Sequence, residues 1–415
     1  MVSKKILYIQ HARTFGGSMV SLLYTIQALD KTRFTPIVGL VFPDDKLAEY
    51  YRRHGIQVVN ASKLALFHHT TARWARLGRP RTFVEFFQNI LKWRKIPIII
   101  ENLKRENNVD IFHLNSVVLA PVAKVLLETQ TTPFIWHVRE SPASGYFGFR
   151  RRFLSRLLQR AGHRVIFLSK ADKTAWLGGK CGTVVNNFLE LSQFDRNRRS
   201  GESEFLPLEL DESPKILYVG GFSKIKGAMV LLQALKILKE SNYKFQCVFP
   251  GTTERIGGSQ SLKLGLLKKV AFTFGYKPFH AKCLETIEKF GLSSFIHQIP
   301  FTNAMPKLLS FSNCLVFPSI EPHFARPVIE AQVMGVPVVA SEIDGVSELL
   351  VDPSAGCLVP PGDPFRLADA LKEVLSSNKV GKNNKFVIEK ARSAYGSVHQ
   401  IKKIEDLYEE VCGTF

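Results

Sequence analysis

The segment CLVFPSIEPHFARPVIEAQVMGVPVVAS, residues 314–341, contains two short apolar runs separated by a loop and a helix-like stretch. The runs CLVF and VPVV have the length and composition of buried strands. Between them, Pro327 suits the first turn of a helix and Gly335 suits its end. The segment therefore predicts a strand, a short helix and a second strand, which is the repeating unit of parallel α/β domains.

Glu330 lies one turn inside this predicted helix. Backbone N–H groups near Phe324, Ala325 and Arg326 would point out of the sheet, where they and the helix dipole favour an anion or sugar hydroxyls. From this position Glu330 would accept the two hydroxyls of a ribose, as an acidic residue does in dinucleotide-binding folds. Spacing alone equally allows the alternative that Glu330 is a surface residue that stabilises the helix N-terminus.

A second unit of strand, loop and helix lies upstream at residues 216–238, ILYVGGFSKIKGAMVLLQALKIL. Its loop contains Gly220, Gly221 and Gly227, and Lys226 lies at its end. Glycines let a backbone approach a phosphate, and a lysine at that point supplies a compact cation. Turns also need glycine for steric reasons, so the loop alone is weak support. Two such units in one domain indicate a nucleotide site more strongly than one glycine loop does.

Short apolar runs alternate with helix-like stretches along the chain, which predicts parallel sheets with helices on their faces. A chain of 415 residues is long enough for two such domains of about 200 residues each. The predicted strands are residues 6–10, 35–41, 110–114, 134–138, 165–168 and 183–185 in the first half, and 215–219, 245–249, 295–299, 314–317 and 337–340 in the second.

The domain boundaries follow from a polar stretch at residues 191–214, which offers little periodic burial and predicts a linker. We expect an N-terminal Rossmann-like domain at residues 1–190 and a C-terminal one at 191–397, which includes the linker. Residues 398–415 carry an apolar stripe at helical spacing. They predict a final helix that packs back on the N-terminal domain.

Charge and cysteine content narrow the class of protein. The formal net charge of +20 favours an anionic partner, such as nucleic acid, anionic lipid or a phosphorylated substrate. The six cysteines form no CxxC pair, which disfavours a zinc site or a redox motif and fits reduced thiols in a cytosol. No uninterrupted apolar stretch reaches about 20 residues, and Gln10, His11 and Arg13 end the first apolar stretch too early for a signal peptide. We therefore expect a cytoplasmic protein that is soluble or peripheral.

Residues 215–375 resemble the nucleotide-sugar-binding half of glycosyltransferase family 4, whose members have the GT-B fold of two Rossmann-like domains facing a central cleft. The matching pieces, in the family's order and spacing, are VGGFSKIKG, FPSIEPHFARPVIEAQVMGVPVVAS, DGVSELL and AGCLVPPGDPFRLADAL. The first half is similar through GGS at 16–18, WHVRE at 136–140 and VVNNF at 184–188. The resemblance implies a retaining, hexosyltransferase-like enzyme that uses a UDP- or GDP-sugar without a cofactor or bound metal. It also implies that the N-terminal domain, residues 1–190, binds the acceptor and that the C-terminal domain, residues 191–397, binds the donor.

The resemblance also implies roles for individual residues. Lys226 would hold the donor diphosphate, Glu330 the ribose, and the backbone of Gly16 and Gly17 would approach the phosphates across the cleft. The implied catalytic residues are His137, Glu321 and Lys226. The implied donor-binding residues are Gly16, Gly17, Gly221, Lys226, Phe324, Ala325, Arg326 and Glu330.

Two departures from the family pattern leave alternatives open. Gly221 stands where the family usually has a phosphate-binding arginine. Arg326 is the candidate replacement, and the alternative is that Arg326 faces solvent. Glu321 lies one residue too early for the family's pair of glutamates, as if His323 were an insertion. Either Glu321 still reaches the donor sugar, or backbone amides make that contact.

In the first half, His113 and His137 lie near the carboxyl ends of predicted strands, where open parallel sheets bind ligands. His137, which precedes Arg139 and Glu140, is the better candidate for contact with the transferred sugar. The alternative is a histidine whose role is purely structural.

The sequence also allows functions other than sugar transfer. The basic charge would also suit a nucleic-acid-binding protein, but the sequence has no recognised nucleic-acid module and no stacking-aromatic signature, so we expect no nucleic acid partner. A nucleotide-sugar epimerase or a non-catalytic copy of the fold is the closer alternative. The leading interpretation is transfer to a glycan or lipid-linked acceptor in cell-surface polysaccharide synthesis.

Basic and aromatic residues interleave in two segments of the first half. A predicted helix carries most of its apolar residues on one side, which suits the inner face of a membrane with anionic lipid. The alternative is that this apolar side packs on the domain's own sheet. The first segment, residues 64–105, contains Phe67, Arg73, Trp74, Arg76, Arg79, Arg81, Phe83, Phe86, Phe87, Lys92, Trp93, Arg94 and Lys95, and the second contains Tyr146 to Phe149 with Arg150, Arg151, Arg152, Arg156, Arg160 and Arg164.

Overall fold

The computed structural model describes residues 3–13, 16–67, 80–143, 146–194, 212–252, 278–300, 302, 304–322, 324–376 and 384–413, with backbone alone at 80–86 and 146. The chain forms two compact units, residues 1–190 with 395–415, and residues 191–394. The tail that was expected from residue 398 thus begins at Tyr395. Most of the predicted linker, residues 195–211, lies outside the described residues.

The first unit contains a parallel sheet of seven described strands in the order β3-β2-β1-β4-β5-β6-β7. Its central strands are continuous apolar runs because helices cover both faces of a parallel sheet. The strands are β1 (Lys4–Gln10), β2 (Phe34–Leu40), β3 (Gln57–Asn60), β4 (Ile111–Leu114), β5 (Phe134–Val138), β6 (Val165–Phe167) and β7 (Thr183–Val184).

The second unit repeats this architecture with six described strands in the order β10-β9-β8-β11-β12-β13, all parallel. In each sheet the strand order reverses beside the first strand, next to β4 in one unit and β11 in the other, which is where such sheets bind ligands. The strands are β8 (Lys215–Tyr218), β9 (Gln246–Pro250), β10 (Ile296–Ile299), β11 (Cys314–Phe317), β12 (Val338–Ser341) and β13 (Gly356–Val359).

The structure confirms the predicted fold class and the predicted strands, with bounds that differ by a few residues. The sequence analysis missed β3 and β13. Both are four-residue strands at a sheet edge, where partly exposed residues interrupt the apolar run that marks a central strand.

Helices cover both sheets. None of the described helices combines the length and the hydropathy that crossing a bilayer requires. Numbered along the described chain, they are α1 (Gly17–Ala28), α2 (Asp45–Arg52), α3 (Pro80–Trp93), α4 (Ile96–Asn107), α5 (Ala120–Thr129), α6 (Phe149–Ala161), α7 (Lys170–Leu177), α8 (Ala228–Glu240), α9 (Phe279–Lys289), α10 (Met305–Phe311), α11 (Arg326–Val333), α12 (Pro364–Ser376), α13 (Lys385–Tyr395) and α14 (Ser397–Gly413).

The tail helix α14 is an integral part of the first unit. Its apolar stripe is buried, and Ile404 and Val411 have no exposed surface. Glu405 accepts a hydrogen bond of 2.8 Å from the backbone N–H of Asp30 and lies 3.6 Å from the Arg33 guanidinium. Tyr408, also fully buried, reaches the sheet itself.

Two loops at the carboxyl edge of the second sheet are bonded to each other because β8 and β11 are neighbours. The carbonyl of Ile225 accepts hydrogen bonds from the Ile320 N–H at 2.9 Å and from the Ser319 hydroxyl at 2.8 Å. Gly227 has a φ of +73°, and a Cβ atom there would lie 1.7 Å from the carbonyl oxygen of Pro318. Only glycine therefore allows the two loops to approach this closely.

Gly227→Ala is expected to destabilise the second unit by forcing these loops apart. Gly362→Ala is the matched control, since Gly362 has a φ of +80° but open space where a Cβ would lie. The left-handed backbone costs about 1–2 kcal/mol in either variant, and the overlap with Pro318 adds about 1–3 kcal/mol in Gly227→Ala alone. Urea denaturation measures both, and equal losses would contradict the close approach.

Candidate functional site

Glu330 lies in α11 and its side chain is almost completely buried. Its Oε1 atom accepts a charged hydrogen bond of 2.9 Å from Nε of Arg326, one helical turn earlier. Its Oε2 atom is also buried and has no hydrogen-bond partner among the described residues. Burial raises the pKa of Glu330, and the charge of Arg326 opposes that rise. The structure contradicts the alternative that Glu330 is a surface residue.

Arg326 is held by the same pair. Its side chain is mostly buried, so the alternative of a solvent-facing arginine is wrong. The ion pair keeps its guanidinium at the first turn of α11, beside the end of β11. A role in phosphate binding, in place of the family's arginine, stays a prediction.

The loop that follows β8 is shaped by its glycines and by Tyr218. The buried Tyr218 hydroxyl lies 3.1 Å from the carbonyl oxygens of both Gly221 and Lys226, so its single proton ties the two ends of the loop together. Gly221 has a φ of +57°, and a Cβ on Gly220 would overlap the Tyr218 hydroxyl. This packing puts half-buried Lys226 directly before the N-terminus of α8, at the carboxyl edge of the sheet.

The loop that follows β11 contains the other predicted donor-site residues. Glu321 and Phe324 are half-buried, and Ala325 is buried at the N-cap of α11. Ala325 has no side-chain oxygen that could cap the first turn, in which Pro327 has no N–H and the Val328 N–H donates to the Ala325 carbonyl. The dipole of the helix still favours an external acceptor at this N-terminus. His323, the proposed insertion, lies outside the described residues. Whether Glu321 or backbone amides contact a sugar stays a prediction.

In the first unit, Gly16 precedes α1 in the loop after β1. Its carbonyl accepts hydrogen bonds from the N–H groups of Met19 and Val20. Gly17 is exposed, with open space where a Cβ would lie. Both glycines therefore lie at the carboxyl edge of their own sheet, and their approach to a phosphate stays a prediction.

His137 is buried in β5, and its ring belongs to a chain of polar side chains. Its Nδ1 atom lies 3.3 Å from Nε2 of His113 and 3.5 Å from a terminal nitrogen of Arg139. The Nδ1 atom of His113 lies 2.7 Å from the hydroxyl of Tyr408, which lies 2.8 Å from the hydroxyl of Tyr8. The Nε2 atom of His137 is buried and has no hydrogen-bond partner among the described residues.

Arg139 connects His137 to the neighbouring strand ends. Its guanidinium donates to the side-chain oxygens of Asn115, which follows β4, and Asn187, which follows β7. The Nδ2 atom of Asn115, like His137 Nε2, is buried without a partner among the described residues. Glu140 ties the end of β5 to the residues that follow β4, because its carboxylate accepts hydrogen bonds from the Ser116 hydroxyl and the Val117 N–H.

Burial sets the charge of these groups. It is the main cause that lowers the pKa of His113 and His137 well below the usual value, and the charge of Arg139 adds to it. Both rings are therefore neutral near pH 7. Burial also lowers the pKa of Arg139 to about 10, which leaves the guanidinium protonated at that pH.

The sequence analysis selected His137, Glu330 and Lys226 but missed Tyr8, Tyr408 and Asn115. Tyr8 and Tyr408 look like ordinary core residues in their apolar patterns, and they are 400 residues apart. The signal that could have found Asn115 is its place: a polar residue directly after the apolar strand IFHL.

Residues 202–394 match the family described as "Glycosyl transferases group 1". The chain is also 29% identical over 204 residues to D-inositol 3-phosphate glycosyltransferase of Corynebacterium urealyticum, a match that covers 47% of this chain and 43% of that one. It is 24% identical to the capsular polysaccharide biosynthesis glycosyltransferase CapM of Staphylococcus aureus, over 52% of this chain and 50% of CapM. The chain thus spans about half the length, or less, of these relatives.

The structure of HepE from Anabaena in complex with UDP and glucose superimposes on 98% of this chain and 99% of its own, with a TM-score of 0.72 and 18% identity. That similarity shows the fold. The chain therefore has the GT-B fold, and its residues 202–394 are similar to the glycosyl transferases group 1 family.

Proposed function

We propose that the chain is a retaining glycosyltransferase that takes a sugar from a UDP- or GDP-sugar. The observation that carries this proposal is the Glu330 carboxylate, buried, with one oxygen bound to Arg326 and the other without a partner among the described residues. A buried acceptor left unsatisfied costs about 1–3 kcal/mol, so such a group favours a ligand that donates hydrogen bonds. The hydroxyls of a ribose are such donors.

The neighbouring groups suit the diphosphate. In the proposed reaction an acceptor hydroxyl oxygen bonds to the anomeric carbon as the bond from that carbon to the diphosphate oxygen breaks. The nucleoside diphosphate leaves with the electron pair and takes up the proton of the hydroxyl. Lys226 and the N-terminus of α11 lie in two loops that are hydrogen-bonded to each other. Their positive charge would stabilise the leaving group without a bound metal. Glu321, in the same loop as α11's N-terminus, would contact the sugar.

The proposed acceptor is a glycan or a lipid-linked sugar. The relative CapM takes part in capsular polysaccharide biosynthesis, and a glycan or lipid-linked acceptor in cell-surface polysaccharide synthesis fits a basic protein that meets an anionic partner. His137 and the donors around it would bind oxygen atoms of a sugar in the first unit.

A panel of UDP- and GDP-sugars, assayed for nucleoside diphosphate release with wild-type protein and Glu330→Gln, tests the proposal. Removing one partner of a buried charged hydrogen bond costs about 2–5 kcal/mol, so release is expected to fall by about 30- to 4,000-fold in Glu330→Gln. Lys226→Ala is expected to cause a comparable loss, and Glu321→Gln a smaller one.

Matched control variants distinguish the effect of removing a charge from the effect of removing a residue of the site. Glu342→Gln removes an exposed carboxylate from the same unit, and Lys224→Ala removes an exposed lysine from the same loop as Lys226. Both are expected to retain activity. Near-normal release by Glu330→Gln would contradict the site, and conversion of the donor without release would favour the epimerase alternative.

Metal independence has its own test. Transfer is expected to be unchanged by excess chelator, because the proposal assigns charge stabilisation to Lys226, Arg326 and backbone N–H groups. Activity measured after chelator treatment, with and without added Mg²⁺ or Mn²⁺, checks this. A strict requirement for either ion would contradict the proposed mechanism.

We further propose that the first unit contacts an anionic membrane surface from the cytoplasmic side. Residues Phe87, Leu91 and Ile98 of α3 and α4 are exposed, next to exposed Lys92 and Arg94. The alternative was that the apolar side of this helix packs on the domain's own sheet. The structure agrees with it in part, because Trp93 is half-buried and packs on the core. Arg73, Trp74, Arg76 and Arg79, and the side chains of Arg81, Phe83 and Phe86, lie outside the described residues.

The second segment adds a neighbouring exposed surface. Phe147 and Phe149 are 95% and 65% exposed at the start of α6, and Arg151, Arg152, Arg156 and Arg160 are exposed along it. Phe67 joins the two surfaces, because its ring packs on both Trp93 and Phe153 of α6. Two arginines of this segment do not belong to the exposed surface as expected, because Arg150 is buried and Arg164 lies over the ring of Phe134. Exposed aromatic residues beside exposed cations are typical of interfacial binding.

Co-sedimentation with vesicles tests this surface. Wild-type protein is expected to bind vesicles that contain anionic lipid at low salt and to dissociate at high salt. Leu91→Ser with Phe147→Ser is expected to weaken binding by about tenfold or more, because each side chain loses its apolar contact. Phe365→Ser removes a similarly exposed phenylalanine from the second unit and is the control. Binding that ignores lipid charge and salt would contradict the proposal.

A further inference from the structure

The buried chain from Tyr8 to Arg139 has one consistent arrangement of protons. Arginine has only N–H donors and no acceptor, so the His137 Nδ1 atom that Arg139 approaches at 3.5 Å accepts. A neutral imidazole carries one proton, which must then lie on the other nitrogen. His137 therefore carries its proton on Nε2, the atom without a partner among the described residues.

The same reasoning extends to His113. Its Nε2 atom faces the His137 Nδ1 lone pair at 3.3 Å and must donate to it. The two contacts to this Nδ1 atom are both long, as expected when two donors share one lone pair. His113 is neutral as well, so its Nδ1 atom is an acceptor.

The two tyrosines complete the chain. The Tyr408 hydroxyl lies 2.7 Å from the acceptor Nδ1 of His113 and must donate its proton there. Its oxygen then accepts the proton of the Tyr8 hydroxyl at 2.8 Å. Every group donates toward the end of the chain at His137, and Tyr408 belongs to the tail helix α14.

The strand register explains why these groups meet. Tyr8 in β1 pairs with His113 in β4, and His113 pairs with Ile135 in β5. Because side chains alternate between the two faces of a sheet, His137 is on the same face as Ile135. Helix α14 packs on this face, which places Tyr408 next to His113.

We propose that Tyr408 is a positioning residue. By donating to His113 Nδ1 it holds the ring in the tautomer and orientation that donate to His137, and His113 and Arg139 together leave His137 a hydrogen-bond donor to a ligand oxygen. His137 then binds a hydroxyl, carboxylate or phosphate oxygen and does not act as a base, because Nε2 is already protonated. Asn115 Nδ2, a donor that is also unpartnered among the described residues, lies on the adjoining strand end and suits the same ligand chemistry. The identification of that oxygen with a sugar rests on the proposed function, whereas the proton order does not.

Ring-nitrogen NMR tests the proton order directly. The full chain is labelled with ¹⁵N in its histidine rings, and long-range proton–nitrogen spectra are assigned with His113→Gln and His137→Gln. Wild-type protein is expected to show both rings in the neutral form protonated at Nε2. Protonation of His137 at Nδ1 would overturn the proposal, and this result needs no folded tyrosine variant.

Tyrosine variants test the positioning role. Tyr408→Phe removes the donor to His113 Nδ1, so the signal of this nitrogen should shift toward that of an unbonded lone pair, while the proton stays on Nε2. Transfer is expected to fall by about 10- to 100-fold, by analogy with the loss of the partners that orient metal-bound histidines. Tyr8→Phe leaves Tyr408 free to donate, so both rings should keep the proton on Nε2 and transfer should fall less. Tyr243→Phe removes a hydroxyl from the second unit and is the control.

The outcomes separate the two proposals. Unchanged His113 signals in a folded Tyr408→Phe variant would overturn the positioning role. A wild-type chain that transfers no sugar, yet shows both rings protonated at Nε2, would remove the proposed function and leave the proton order standing.

Discussion

The close packing of Gly227 on the carbonyl of Pro318 is the constraint on which the candidate donor site depends. It lets the loops after β8 and β11 form hydrogen bonds through the carbonyl of Ile225. Lys226 and the N-terminus of α11 then share one edge of the sheet, close to the buried pair of Arg326 and Glu330. A cation and a carboxylate in that arrangement suit the diphosphate and the ribose of one nucleotide.

The two units use burial in different ways. In the second unit a carboxylate is buried with one oxygen unpaired, which favours a ligand that donates hydrogen bonds. In the first unit, neutral histidines and a protonated arginine leave donors without partners among the described residues, which favours a ligand that accepts them. The tail helix takes part in this second arrangement, because Tyr408 contacts His113 from the opposite end of the chain. A nucleotide ribose suits the site in the second unit. Sugar or phosphate oxygens suit the site in the first unit.

Much of the fold and of the donor site could be predicted from local sequence. Apolar runs marked the central strands, and Pro327 with Gly335 marked the short helix that carries Glu330, because these are local backbone requirements. The edge strand β3 was missed because its residues are partly exposed. Tyr8 and Tyr408 were missed because a hydrogen bond across 400 residues leaves no local signal. The Arg326 pairing was missed because spacing fits both an ion pair and a solvent-facing side chain.

Calorimetric titration of the full chain with UDP or GDP, whichever binds, and with its 2′,3′-dideoxy analogue tests the central claim most directly. If the unpaired oxygen of Glu330 accepts ribose hydroxyls, loss of those hydroxyls should weaken binding to wild-type protein by about tenfold or more. Loss of the ribose hydroxyls should weaken binding to Glu330→Gln much less, because this variant lacks the carboxylate that accepts their hydrogen bonds. An equal penalty in both proteins, or no binding of either nucleotide, would contradict the account.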